Sequence, residues 1–226
     1  MTLLHYDRYG GRKGRYKPGF PRILELFDPW ERRTQQFRDE WSQDLWLLRR
    51  SDLTVKSIEV HPQPLEYLSR GIRHRGVADL AIEVPRGMVY EALGRAPDAS
   101  DAEHHAELHR AAELHGVRSS VVPLAELRGR SNLIQNMEHV RRVLVMWLDH
   151  DLSAAQYGVL GALKGGALAR ATLRAAVSEQ AGEGAVQGLE AAIFRLHFSR
   201  QVRVDLDGRY DDEAHAERCE LLLGPA

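Results

Sequence analysis

Apolar positions divide the chain into a strand-rich middle and a helical second half. Residues 53–95, LTVKSIEVHPQPLEYLSRGIRHRGVADLAIEVPRGMVYEALGR, hold short apolar runs bounded by Pro and Gly, the pattern of successive strands. Val55, Ile58 and Val60 predict one strand, Leu65 to Leu68 a second, Val77 to Val84 the most apolar, and Met88 to Leu93 the next. His61-Pro62-Gln63-Pro64, a polar turn at Ser69 to Arg73 around Gly71, and Pro85-Arg86-Gly87 separate them. Upstream, Asp28-Pro29 reads as a helix start, with Asp at the N-cap and Pro at the first helical position. Phe37, Trp41, Leu45 and Leu48 then recur at helical spacing, and Ser51-Asp52 ends the helix.

Beyond a linker at 94–99, the pattern predicts a helix over 101–115, capped by Ser100 and stopped by Gly116. A β-branched strand over 117–122 and a short helical turn over 123–127 follow. Helix, strands, helix, strand is the order of a mixed α/β core. Ser131 to His150 is an amphipathic helix, with Leu133, Met137, Val140, Leu144, Trp147 and Leu148 on one face, and it bridges to a second unit. There, Ser153 to Leu163, Ala167 to Ser178 and Val186 to Phe198 are helices. Val202 to Leu206, Asp207-Gly208 and Arg209-Tyr210 form a hairpin on an Asp-Gly turn. Three short helices and a hairpin are the parts of a winged helix. The chain thus divides into an arm (1–27), an α/β domain (28–130), a connecting helix (131–150) and a winged-helix-like domain (151–226).

Composition narrows the picture. The 226 residues carry 31 Lys and Arg against 32 Asp and Glu, a net charge of −1, which excludes a uniformly basic nucleic-acid binder but not a local basic face. Such a face is the arm, where Arg12, Lys13, Arg15 and Lys17 mix with tyrosines and glycines, a composition suited to phosphate contact and base stacking. The single cysteine, Cys219, permits no disulfide within the chain, and the N-terminus has no apolar signal-peptide core; a cytoplasmic protein with no membrane partner is expected.

Two carboxylates stand out. Asp79 interrupts the most apolar strand, where an ionised side chain is costly without a partner, and Glu91 sits in the next strand. Acids on neighbouring strands suit a divalent ion such as Mg²⁺, which binds carboxylate oxygens and activates water. By alternation, Asp79 and Glu83 could equally lie on a solvent-facing side. Arg73-His74-Arg75, just before the Asp79 strand, would place positive charge beside such a site. His105 and His109, one helical turn apart, lack a third metal ligand and read with His104 and His115 as a polar helix face.

The order from Asp44 to Ile58, DLWLLRRSDLTVKSI, followed by EVHPQPLEY, resembles the TnsA-type transposon endonucleases. That family runs a helix into a strand with an E-Q-P-like corner, then a basic hairpin, an aspartate strand, and a strand carrying an acid and a lysine. HRGVADLAI resembles its aspartate strand and VYEAL its acid strand; AAELHGVRSSVVPLAEL and SNLIQNMEHVRRV resemble its later elements, so that the likeness spans residues 36–145. It implies a restriction-endonuclease-like mixed sheet flanked by helices, followed by the winged-helix-like domain. It further implies Mg²⁺ (Mn²⁺ possible) on Asp79 and Glu91, DNA as substrate, and partners in a strand-transferring transposase and an ATPase regulator. Two positions depart. Leu93 stands where the family has its lysine, and Arg95, two residues on, can hold a phosphate but not act as a base. Ser42 aligns with the family's helical glutamate, with Glu40 half a turn earlier as the substitute. Two functions follow: a metal-dependent endonuclease using Glu40, Asp79 and Glu91, or a subunit that keeps the fold and docks DNA and protein. The acidic wing (Asp205, Asp207, Asp211, Asp212) favours protein over DNA as the partner of the last domain.

Overall fold

The computed structural model describes residues 23–95, 99–208 and 220–223. It opens on an antiparallel hairpin, β1 (Leu24–Asp28) and β2 (Arg33–Phe37), where the sequence predicts the tail of the arm and the first helical turns. Asp28 is the reason. Its Oδ1 accepts the backbone N–H groups of Trp30 (2.9 Å) and Glu31 (3.2 Å) and closes a turn instead of capping a helix. Its Oδ2 accepts from Arg50 Nη2 at 2.6 Å and Gln35 Nε2 at 3.3 Å, inside the protein. Helix α1 (Glu40–Arg50) begins only after Asp39, whose side chain caps it by accepting the Ser42 N–H at 2.8 Å. Phe37 therefore belongs to a strand, although its spacing matches the helix behind it.

Four strands build the main sheet: β3 (Ser57–Val60), β6 (Leu80–Val84), β7 (Gly87–Gly94) and β8 (Arg118–Pro123), in the order β3-β6-β7-β8. β4 (Leu65–Ser69) and β5 (Ile72–Gly76) pair as a separate hairpin, so Ser69, Ile72 and Arg73, expected in a polar turn, are strand, and only Arg70 and Gly71 turn. β7 and β8 run parallel, joined by the crossover helix α2 (Ala99–Leu114); the other pairs are antiparallel. The sheet is thus mixed and flanked by helices. One face packs Ile58, Leu80, Ile82 and Leu93 against Leu45, Trp46 and Leu47 of α1. On the other side, Ala78 and Ala92 meet Leu108, Ala111 and Ala112 of α2 together with Leu65 and Tyr67 of the hairpin. At the β3 edge, side chains satisfy the outward backbone groups: Ile58 N–H donates to Glu31 Oε1 (3.2 Å) and Ile58 C=O accepts from Arg33 Nη2 (3.1 Å).

The short α3 (Leu124–Gly129) leads into α4 (Ser131–Met146). Leu133, Ile134, Met137, Val140 and Leu144 of α4 belong to the same buried cluster as α1 and the last helices, so one continuous core runs through both halves. The second half comprises α5 (Ser153–Leu163), β9 (Leu168–Ala169), α6 (Arg170–Ala181), α7 (Glu183–Gln187), α8 (Leu189–Phe198), β10 (Val202–Val204) and β11 (Glu220–Leu223). Its three strands form an antiparallel sheet in the order β10-β11-β9. The strand opposite β10 is β11, with Val202 facing Leu223 and Val204 facing Leu221, so Asp207-Gly208 does not join β10 to this partner as a two-residue turn; Arg209 lies outside the described residues. Tyr210, Asp211, Asp212 and Cys219 lie outside the described residues. No helix among the described residues is long and apolar enough to cross a membrane.

His197 locks α8 to β10. Its buried ring accepts the Val204 N–H at Nδ1 (3.2 Å), with the Val202 carbonyl also 3.2 Å away, and burial holds its pKa below the ordinary histidine value. The unfolded chain binds the proton more readily than the fold, so this stability is complete above the unfolded pKa and declines as pH falls through the lower folded value. The melting temperature is expected to drop from pH 7 to pH 5 in the wild type, and to drop less in His197→Gln; equal slopes would show that the ring is not the group responsible.

Candidate functional site

Asp79 precedes β6, and its N–H donates to the Glu91 carbonyl at 2.8 Å, which sets the two acids side by side on adjoining strands. Both are buried, with 7% and 6% of their surface exposed. Their side chains, however, take different partners. Asp79 Oδ2 accepts the Leu93 N–H at 2.8 Å, and Oδ1 accepts from Arg95 Nη2 at 2.7 Å, with Ser42 Oγ at 3.5 Å. Glu91 Oε2 accepts from Arg49 Nε at 2.6 Å and Oε1 from Ser120 Oγ at 3.0 Å. Ser42 and Arg49 are seven residues apart on α1, roughly 10 Å of helix rise. The two carboxylates are thus tied to opposite ends of the helix.

Arg95 joins a second acid to the Asp79 side. Its Nη1 donates to Asp39 Oδ2 at 2.7 Å while Nη2 holds Asp79, so one guanidinium bridges the α1 cap and the sheet. Asp39 was not among the residues singled out from sequence; the signal was its place three residues before Ser42, ahead of a helix. Glu40 is exposed in the first turn of α1 and makes no ion pair with a described residue; the position aligned with the family's glutamate, Ser42, is the one that turns inward to Asp79. Leu93 is 2% exposed and packs in the core below Glu91, where alternation along β7 sends both to the same face.

His61 closes this corner. It follows β3 with a left-handed backbone (φ 50°), donates its N–H to the Asp79 carbonyl at 2.9 Å, and accepts the Arg38 N–H on Nε2 at 3.2 Å. Burial and the nearby Arg38 charge hold its pKa down, against the pull of the Asp79 and Asp39 carboxylates. The histidines of α2 and of the turn just after it act as tethers. The His105 ring contacts Leu93 O (3.3 Å), His109 contacts Ser119 Oγ (3.1 Å), and His115 contacts Glu66 O (2.8 Å).

Arg73 and Arg75 lie on the β4–β5 hairpin and share Glu66, at 3.6 and 2.9 Å. They are not drawn to the Asp79 corner, and Arg95 is. Arg12, Lys13, Arg15 and Lys17 lie outside the described residues.

Among the described residues no group of three or more His, Cys, Asp and Glu is placed to hold a metal ion. The donor set of the two strand acids explains why Mg²⁺ does not fit this arrangement. Each carboxylate is neutralised by a guanidinium, and a divalent ion would have to displace Arg95 from one and Arg49 from the other. No family model, curated protein or solved structure matches the chain.

Proposed function

We propose that this chain is a TnsA-like subunit with a restriction-endonuclease-like core that docks DNA and partner proteins without cutting. The observation that carries the reading is the pairing of Asp79 with Arg95 and of Glu91 with Arg49, together with leucine at position 93. A guanidinium supplies the positive charge that a carboxylate pair in an active nuclease takes from its ion, and it can neither activate water nor release a proton near neutral pH. The partners fitting the resemblance are a strand-transferring transposase and an ATPase regulator, alongside DNA.

The strand order β10-β11-β9 supports a winged helix for the second half, with α7 an additional short helix where the sequence predicts one continuous helix from Val186 to Phe198. Its last helix, α8, turns its charged groups inward. Arg195 donates to the carbonyls of Trp147 (2.5 Å), Leu148 (2.9 Å) and His150 (3.2 Å), and Glu190 accepts from Arg170 at 2.6 Å with His139 at 2.9 Å. Side chains held this way do not reach phosphates or base edges, which supports protein rather than DNA as the partner of this unit.

The alternative, a cutting endonuclease, draws on the convergence of Asp39, Asp79 and His61 at the α1 N-terminus. A nicking assay on supercoiled DNA with Mg²⁺ or Mn²⁺, with the partner transposase supplied, separates the two. Equal absence of nicking by wild type, Asp79→Ala and Glu91→Ala is the expected result. Nicking by the wild type that both substitutions abolish overturns the docking reading.

A further inference from the structure

The β4–β5 hairpin carries features that its packing does not use. Its base is anchored. Tyr67 donates to Glu107, its ring stacks on His74 at 4.9 Å, and a Cβ at Gly76 would meet Ala111 Cβ at 2.7 Å and Leu108 Cα at 2.8 Å, so strand and helix touch backbone to backbone. The far end turns through Arg70 and Gly71, both with positive φ (52° and 78°), between the paired residues Ser69 and Ile72. Two left-handed central residues make the tight turn that matches strand twist, so the tip is a stiff ribbon.

On that tip two aliphatic side chains face solvent: Leu68 is 73% exposed and Ile72 63%. Around them stand Arg70, Arg73 and Arg75, all exposed, against one acid, Glu66, in a chain whose net charge is −1. Leu68 and Arg73 are cross-strand partners, with Glu66 and Arg75 the next pair on the same outer face. On the outer face Leu68 is flanked by Arg73 and Arg75, and with Arg70 the hairpin tip carries three guanidiniums against one carboxylate, the charge complement of a polyanion. A two-stranded ribbon has the width of a DNA groove, and aliphatic side chains at such tips can enter between base pairs.

We propose that the β4–β5 hairpin is a DNA-groove ribbon, in which Arg70, Arg73 and Arg75 hold phosphates and Leu68, on the same outer face as Arg73 and Arg75, presses into a base step; Ile72 pairs with Ser69 and lies on the opposite face. The inference rests on the DNA-docking reading above and assigns the contact to one element. The test uses the full chain and a mixed-sequence duplex carrying 2-aminopurine, whose fluorescence rises on unstacking, with binding followed by mobility shift across a salt series. Leu68→Ser is expected to keep the wild-type melting temperature and salt slope, to lose the fluorescence rise, and to bind about tenfold more weakly, as expected for about one base-step contact. Arg73→Ala/Arg75→Ala is expected to flatten the salt dependence by about one to two in slope. If the wild type does not bind the duplex, the DNA-docking reading itself falls. If it binds and both variants match it in affinity, slope and fluorescence, only the assignment to the hairpin is overturned. Unchanged DNA binding with lost binding to the partner transposase assigns the tip to protein and likewise overturns it.

Discussion

Asp28→Ala is expected to destabilise the chain by about 3–5 kcal/mol, the range found when one partner of a buried ion pair is removed. For a chain of this size that is a fall of roughly 6–20 °C in melting temperature. Asp28 is fully buried, and its carboxylate closes the β1–β2 turn and meets Arg50 at 2.6 Å. Arg50 also binds Glu31 and lies 5.7 Å from the ring centroids of Trp30 and Trp46. With Asp28 gone, a guanidinium only 7% exposed keeps one acid, and two backbone N–H groups lose their acceptor. Asp28→Asn retains the turn and should lose less. Urea unfolding of the three proteins checks the order; an Asp28→Ala protein as stable as the wild type would show that the Arg50 network does not hold the hairpin to α1.

Arg95→Ala is expected to convert an ion-indifferent protein into one that divalent ions stabilise. In the wild type the guanidinium sits between Asp39 and Asp79, 2.7 Å from each, and a millimolar addition of Mn²⁺ should leave the melting temperature unchanged. Removing it leaves two carboxylates on one corner without a cation. The variant should melt lower in chelator, then recover on adding Mn²⁺, by up to about 2.7 kcal/mol when the ion is at a hundred times its dissociation constant. The pair Arg95→Ala/Asp79→Ala should lose the recovery. Stabilisation of the wild type by Mn²⁺ to the same extent would contradict the guanidinium's role as resident cation.

Much of the fold was legible in the sequence. The strands around Ile58, Ile82 and Leu93, the end of the crossover helix just before Gly116, and α5 all lie where apolar runs and stop signals placed them, whereas Ser100, expected as that helix's cap, is inside it. The misreadings share one cause, signals that serve two structures. Asp28-Pro29 starts helices and also closes turns, and only burial against Arg50, 22 residues on, decides between them. Ile72 and Arg73 read as part of a turn because Ile72 and the arginines give no apolar alternation; their strand is held instead by Gly76 and His74 against α2. Asp207-Gly208 marked a turn, while the partner of β10 lies beyond residue 219. At the site, Asp79 and Glu91 were legible as acids in apolar strands. Their ownership by Arg95 and Arg49 was not, because an arginine's long side chain leaves no period in a sequence to show which carboxylate it reaches.

The β3 edge has a consequence for life in a crowded solution. An outermost strand normally presents a row of unpaired N–H and C=O groups to any extended chain that drifts past, and so seeds aggregation. At Ile58 that row is already answered, donor by Glu31 and acceptor by Arg33, from a hairpin folded across it. A foreign strand arriving there would have to break two charge-assisted bonds to make two neutral ones. The β1–β2 hairpin thus acts as a guard against the sheet growing into a neighbour, and Glu31 and Arg33 are the residues through which it does so.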